Sequence, residues 1–162
     1  MPNPFEITLA YWQLDLLRGD QLPALAVAAL EARLDSGSLR ILAGLTDPTR
    51  DEAGPLLLQA AEEIGVAVPG RREAGFSVAR DIARRILSDE VTPHVGARLI
   101  WTQVYNAIGQ PDQLGPFVYL ASELDDFITA RPARPTEYDP LIAQCEAAIR
   151  EEADRLVRGV AA

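Results

Sequence analysis

The chain has 162 residues, 48% of them apolar and 24% charged, with a net charge of −9. That composition supports one folded domain over 1–162 with a buried core, and the charge sets the protein against nucleic acid and anionic lipid as partners. All 15 basic residues are Arg, so Schiff-base chemistry and a phosphate-loop lysine are excluded. The charge is uneven: residues 1–70 carry 4 Arg against 10 acids, residues 71–85 carry 5 against 2, and residues 86–162 carry 6 against 12. A basic partner suits the two acidic flanks.

Aromatics are only 6%, and Ala and Leu fill most apolar positions, which favours helix over strand. No apolar run reaches membrane-spanning length, and MPNPFEITLAYW lacks the basic and apolar blocks of a signal peptide. A lone Cys145 leaves no internal disulfide and fits a reducing cytoplasm.

In chain order, the first predicted helix runs from Thr8 to Arg18, with Leu9, Trp12 and Leu16 on one side. Arg18-Gly19-Asp20 closes it; this spells a cell-adhesion tripeptide, but a helix–turn–cap is the simpler reading. Asp20 then caps a second helix over about 21–35. Ser36-Gly37-Ser38 breaks the chain before a short helix from Leu39 to Leu45. Thr46-Asp47-Pro48 starts the next segment, which Pro55 is expected to interrupt, leaving a proper helix from Pro55 to Ile64. Residues 65–75 hold three Gly, one Pro and two adjacent Arg, and form the candidate mobile loop. GVAV at 65–68 is the one short strand candidate. A helix follows from Phe76 to Leu87, striped by Val78, Ile82 and Ile86.

The stretch from Thr92 to Asp126 is the predicted centre. Thr92 caps a helix opened by Pro93, and Ala97, Ile100, Trp101, Val104, Tyr105 and Ile108 recur at spacings of three and four. Gly109 and Pro111 stop it. A second helix starts near Pro116 with Phe117, Leu120, Ala121, Leu124, Phe127 and Ile128 on one face. The two faces pack as an antiparallel hairpin over 93–128. Residues 130–135 read as a stiff Pro-rich linker, and Thr136 caps a long last helix to about Arg158. The fold expected is therefore all-α, a single-domain bundle of about seven helices around that hairpin and the C-terminal helix.

Chemistry is sparse. One His and one Cys do not make a zinc site. Cys145 lies in an apolar stripe and reads as a buried thiol, and His94 as a surface or capping residue. Adjacent carboxylates point about 100° apart on a helix and do not form a shared acid–base site; Glu123 and Asp126, three apart, more simply form a solvated acidic face. The helix–break–helix outline over 76–108 suggests a DNA-reading motif, but its second helix offers little polar reach. No catalytic residue, metal or cofactor is expected.

ARLIWTQVYN followed by PFVYLASELDD and an acidic C-terminal helix resembles small acidic all-helical proteins of high-GC bacteria that have no assigned activity. The resemblance covers about residues 80–158, implies an intracellular bacterial protein, and carries over no catalytic residue.

The leading expectation is a non-enzymatic interaction module of the immunity, antitoxin or adaptor kind, with Glu123, Asp125 and Asp126 meeting a basic protein partner. The alternative is a small-molecule or anion binder, or minor enzyme, with Trp101, Tyr105 and Tyr119 as pocket walls and Arg84 or Arg98 as anchor. A structural homo-oligomer through the last helix is the third reading.

Overall fold

The computed structural model describes residues 3–159, and among these the secondary structure is entirely helical. The eight α-helices are α1 (Pro4–Gln13), α2 (Leu22–Glu31), α3 (Gly37–Ala43), α4 (Arg50–Ile64), α5 (Arg71–Leu87), α6 (Pro93–Leu99), α7 (Gly115–Ala130) and α8 (Pro135–Arg158). The all-helical expectation holds, with eight helices where about seven were expected. Contacts group the chain into two compact units, one ending at Ala74 and the other beginning at Gly75.

Several boundaries differ from expectation. α1 begins at Pro4 because Asn3 and Glu6 form a reciprocal cap: the Phe5 N–H donates to the Asn3 side chain, and the Asn3 N–H to Glu6. It ends at Gln13, not Arg18, and Asp15 turns the chain with a φ of 60°. Asp20 does not cap α2. It lies in a 3-10 turn over Gly19–Gln21 and takes two bonds from Arg18, at 2.9 and 2.7 Å. The cap of α4 is Thr49 with Glu52, rather than Thr46 and Asp47. Pro55 does not interrupt α4: it is exposed, so the carbonyl its ring frees faces the solvent side. Arg71–Gly75 are helical, which shortens the predicted loop, and GVAV forms no strand. The Pro-rich linker holds a 3-10 turn (Arg131–Ala133), and α8 starts at Pro135, one residue before the cap expected at Thr136.

The first unit buries Phe5, Leu9 and Trp12 of α1 against Leu22 and Ala26 of α2, Leu39 and Leu42 of α3, and Leu57, Ala60 and Ala61 of α4. Trp12 sets the fit of α1 to α4. A Cβ at Gly54 would lie 2.7 Å from the indole Cζ2, so only glycine admits the ring there. One turn earlier on α4, the Arg50 guanidinium stands 3.6 Å from the indole centroid. It also donates to the carbonyls of Trp12 (3.0 Å) and Leu17 (2.8 Å) and to the Asp15 carboxylate (2.8 Å). The Trp12 carbonyl lies in the last turn of α1 and also accepts from the Asp15 N–H at 3.1 Å, while Leu17 and Asp15 lie just beyond that helix end, where a cation is favoured. α3 is tied to α4 with the polarity reversed, by an anion at its N-terminus: Ser36 caps it, and the Glu63 carboxylate accepts from the Ser38 N–H and hydroxyl at 3.0 and 2.8 Å.

In the second unit, Thr92 and Pro93 open α6 as expected. After Leu99 the turns widen into a π-helical stretch, Ile100–Tyr105. α6 and α7 form the expected hairpin, and α8 packs on both. The core holds Ile82 and Ile86 of α5, Ile100 and Val104, Phe117 and Leu124 of α7, and Ile149 of α8. Gly96 is needed where α6 passes Ile86, whose side chain would overlap any Cβ there. Arg150 repeats the Arg50 arrangement: from α8 it donates to the Ile86 carbonyl (2.9 Å) and to Asp89 (2.6 Å) beyond the end of α5. Like Asp15, Asp89 has a left-handed φ, 61°.

Arg50→Ala should lower stability by about 2 kcal/mol, since it strips hydrogen bonds to a charged donor and uncovers Trp12. Urea unfolding followed by Trp fluorescence measures this. Arg50→Lys should recover less than half the loss, because an ammonium cannot bridge two carbonyls and a carboxylate while stacking on the ring.

Candidate functional site

Three places in the second unit and one in the first collect polar side chains. His94 and Arg98 lie one turn apart on α6, and Asp125 faces them from α7. His94 Nε2 is 2.6 Å from Asp125 Oδ1, and Arg98 Nη1 donates to Oδ2 at 2.7 Å. Burial raises the carboxyl of Asp125, but the hydrogen bonds from His94 and Arg98 outweigh it and hold it below its usual range. The nearby Thr129 hydroxyl does not reach the imidazole; it donates to the Asp125 backbone carbonyl at 2.8 Å. The imidazole thus meets an ionised acid without a nucleophile behind it, and the cluster staples α6 to α7. It also ties down the two basic side chains that a DNA-reading α6 would extend.

Cys145 is buried on α8, with its thiol 3.5 Å from Glu123 of α7. Burial, reinforced by that carboxylate, pushes the thiol up to about 11. Both residues line a small pocket of about 230 Å³ with Leu120, Phe127 and Leu141. A thiol held protonated is a poor nucleophile at neutral pH. Among the described residues, no group of three or more His, Cys, Asp or Glu is placed to hold a metal ion.

The largest of these concave surfaces, about 690 Å³ and open to solvent, lies where α7 ends and α8 begins. Ile128, Pro132, Pro135, Ile142 and Ala143 give it an apolar lining, with Arg131, Asp139 and Glu146 as polar members. Arg131 and Asp139 pair at 2.6 Å; Glu146 has no ion pair among the described residues. In the first unit a polar cleft of about 580 Å³ runs between residues 15–20 and 47–50. It contains the Arg18-Gly19-Asp20 tripeptide, folded on itself by its own ion pair, with Gly19 wedged against the Thr49 backbone.

The residues singled out from sequence are scattered. Arg98 and Asp125, assigned there to different roles, are bonded to each other. Trp101 and Tyr105 are half-buried on the π-helical stretch, Tyr119 is 66% exposed on α7, and Arg84 is half-buried on α5. None of the grooves described above is lined by these four. Glu123 sits beside Cys145, and Asp126 is exposed with no ion pair among the described residues. The apolar groove beside α8 was not found from sequence, since Ile142 shares the three–four stripe of Cys145, Ile149 and Ala153 and only Ala143 lies off it.

No protein-family model, no curated protein and no solved structure matches the chain.

Two measurements check these sites. Asp125→Asn should cost about 1–2 kcal/mol at neutral pH. The carboxyl is depressed in the folded state, so its contribution is complete above the unfolded value near 3.8 and is lost as pH falls through the lower folded value. The carboxylate's own contribution should therefore be complete at neutral pH, and the gap between wild type and variant should close only in strong acid. Separately, native Cys145 should react with Ellman's reagent at pH 8 about 100-fold more slowly than the urea-unfolded chain, because so little of it is thiolate.

Proposed function

We propose that the protein is a non-enzymatic interaction module that presents an acidic helical surface to a basic protein partner in the cytoplasm, as an immunity protein, antitoxin or adaptor does. One observation carries this reading. Seven of the nine arginines over residues 75–162 pair with the chain's own carboxylates, with no ion pair for Arg80 and Arg84 among the described residues: Arg85 pairs with Glu90, Arg98 with Asp125, Arg131 with Asp139 and Arg150 with Asp89. Arg134, Arg155 and Arg158 pair within their own helix or its lead-in. Carboxylates are left over: Asp126 on α7 and Glu146 and Glu151 on α8 are among those with no ion pair among the described residues. Uncompensated charge of one sign steers and selects an oppositely charged partner.

The groups that usually carry chemistry point the same way. The imidazole is held by Asp125, whose other oxygen accepts from Arg98, and the thiol is kept protonated. Among the described residues no helix is long and apolar enough to cross a membrane.

The test is in-cell photo-crosslinking from positions 119 and 130 in the native host, with wild type and with Asp126→Asn/Glu146→Gln/Glu151→Gln. The reading expects one basic protein, crosslinked by wild type, lost from the triple variant, and released from the uncrosslinked complex by about 0.5 M salt, where surface charges are screened. The same crosslinks from wild type and variant would reject it.

A further inference from the structure

We infer that the apolar groove where α7 meets α8 is the docking site for an amphipathic helical segment of that partner, one carrying apolar side chains flanked by Arg or Lys. This rests on the interaction reading above and names the surface and the chemistry of its occupant.

The groove is built by register. Asp139, Ile142, Ala143 and Glu146 stand at spacings of three, four and seven on α8, so they form one stripe of two turns, about 10 Å long. It shares Ile142 with the stripe that α8 buries, which carries Cys145, Ile149 and Ala153, and is turned from it toward Ala143 and Glu146. Ile128, 40% exposed at the end of α7, forms the opposite wall. Pro132 and Pro135 close one end; having no N–H, they offer an occupant no backbone donor. Recognition there falls to apolar side chains, and the size suits the few side chains that one helix face projects.

Charge selects the occupant. The Arg131 guanidinium is already held by Asp139 at 2.6 Å, so the polar group at the rim still without a counter-ion is Glu146. The second unit carries 9 Arg against 13 acids over residues 75–162, so the surrounding field has the same sign. A second copy of this chain does not fit: two such stripes laid antiparallel would set the Glu146 carboxylate of one against the Asp139 carboxylate of the other. A segment with two apolar residues one turn apart, and Arg or Lys a turn beyond them, covers Ile128 and Ile142 and gives Glu146 its counter-ion.

The test uses fluorescence polarisation with three labelled helical peptides of about 14 residues, or four turns. Each has two Leu one turn apart, flanked by Arg, by Gln or by Glu. They are titrated against wild type, Ile142→Asp, Glu146→Arg, and Glu151→Arg, which changes a carboxylate of α8 outside the groove. The Arg-flanked peptide should bind wild type best. Glu146→Arg should weaken it about tenfold and raise affinity for the Glu-flanked peptide, while Glu151→Arg changes either by less than about twofold. Ile142→Asp should weaken all three, and the Glu146→Arg comparison decides the matter if circular dichroism finds that variant unfolded. Equal weakening by Glu146→Arg and Glu151→Arg would overturn the groove while leaving the acidic-surface reading in place. So would sedimentation of a wild-type dimer that Ile142→Asp dissociates, since a second copy would then fill it. Failure of every peptide to bind wild type would overturn the groove, and the crosslinking above would then decide the broader reading by itself.

Discussion

An arginine placed over the end of a helix is the interaction on which each unit depends. Helix C-termini leave carbonyls without donors, and the aligned peptide dipoles make that end negative. Arg50 answers this at the end of α1 and Arg150 at the end of α5, each from a distant helix. In both places the chain turns away through an Asp in the left-handed region, Asp15 or Asp89, and the same guanidinium takes its carboxylate. One planar fork therefore satisfies the helix end, anchors the turn and joins two elements far apart in sequence, which a lysine point charge cannot do. In the first unit it also covers Trp12, whose other side needs the missing Cβ of Gly54.

The same habit shapes the surface. A chain with 15 basic and 24 acidic residues that commits most of its guanidinium groups to helix ends and its own carboxylates is left with an excess of unpaired acid. The His94–Asp125–Arg98 cluster belongs to this pattern: it holds α6 and α7 in register and leaves the only imidazole tied to a carboxylate. Cys145 is likewise held in its neutral form by burial and Glu123. Of the carboxylates left without an ion pair among the described residues, Glu146 lies beside an apolar groove on α8, and the proposed binding role draws on that combination.

Much of the fold is legible in the sequence because local rules set it. Thr92-Pro93 starts α6, Gly109 with a φ of 81° ends the segment, and Gly159 with a φ of 71° follows α8. Where local reading failed, a stronger local signal or a tertiary fact had been passed over. The Asn3–Glu6 cap was visible in sequence and outweighs Thr8 as a start. Pro55 survives inside α4 because of which face it lies on, a property that only packing reveals. The i, i+4 spacing of His94 and Arg98 put them on one face of a helix, but nothing local says that Asp125, some thirty residues away, stands opposite. The groove was harder still, since it is defined by what α7 and α8 leave uncovered.

Arginine side-chain NMR tests the central claim most directly. A guanidinium locked between carbonyls and a carboxylate rotates slowly about Nε–Cζ, and its Nη protons resolve in a ¹⁵N-edited spectrum; a solvated one averages to a single broad signal. Arg50 and Arg150 should both give resolved Nη resonances, and those of Arg150 should collapse in Asp89→Asn with α8 still folded. If both arginines show the averaged signal of a free side chain at neutral pH, the helix-end clamps are absent in solution and the account fails.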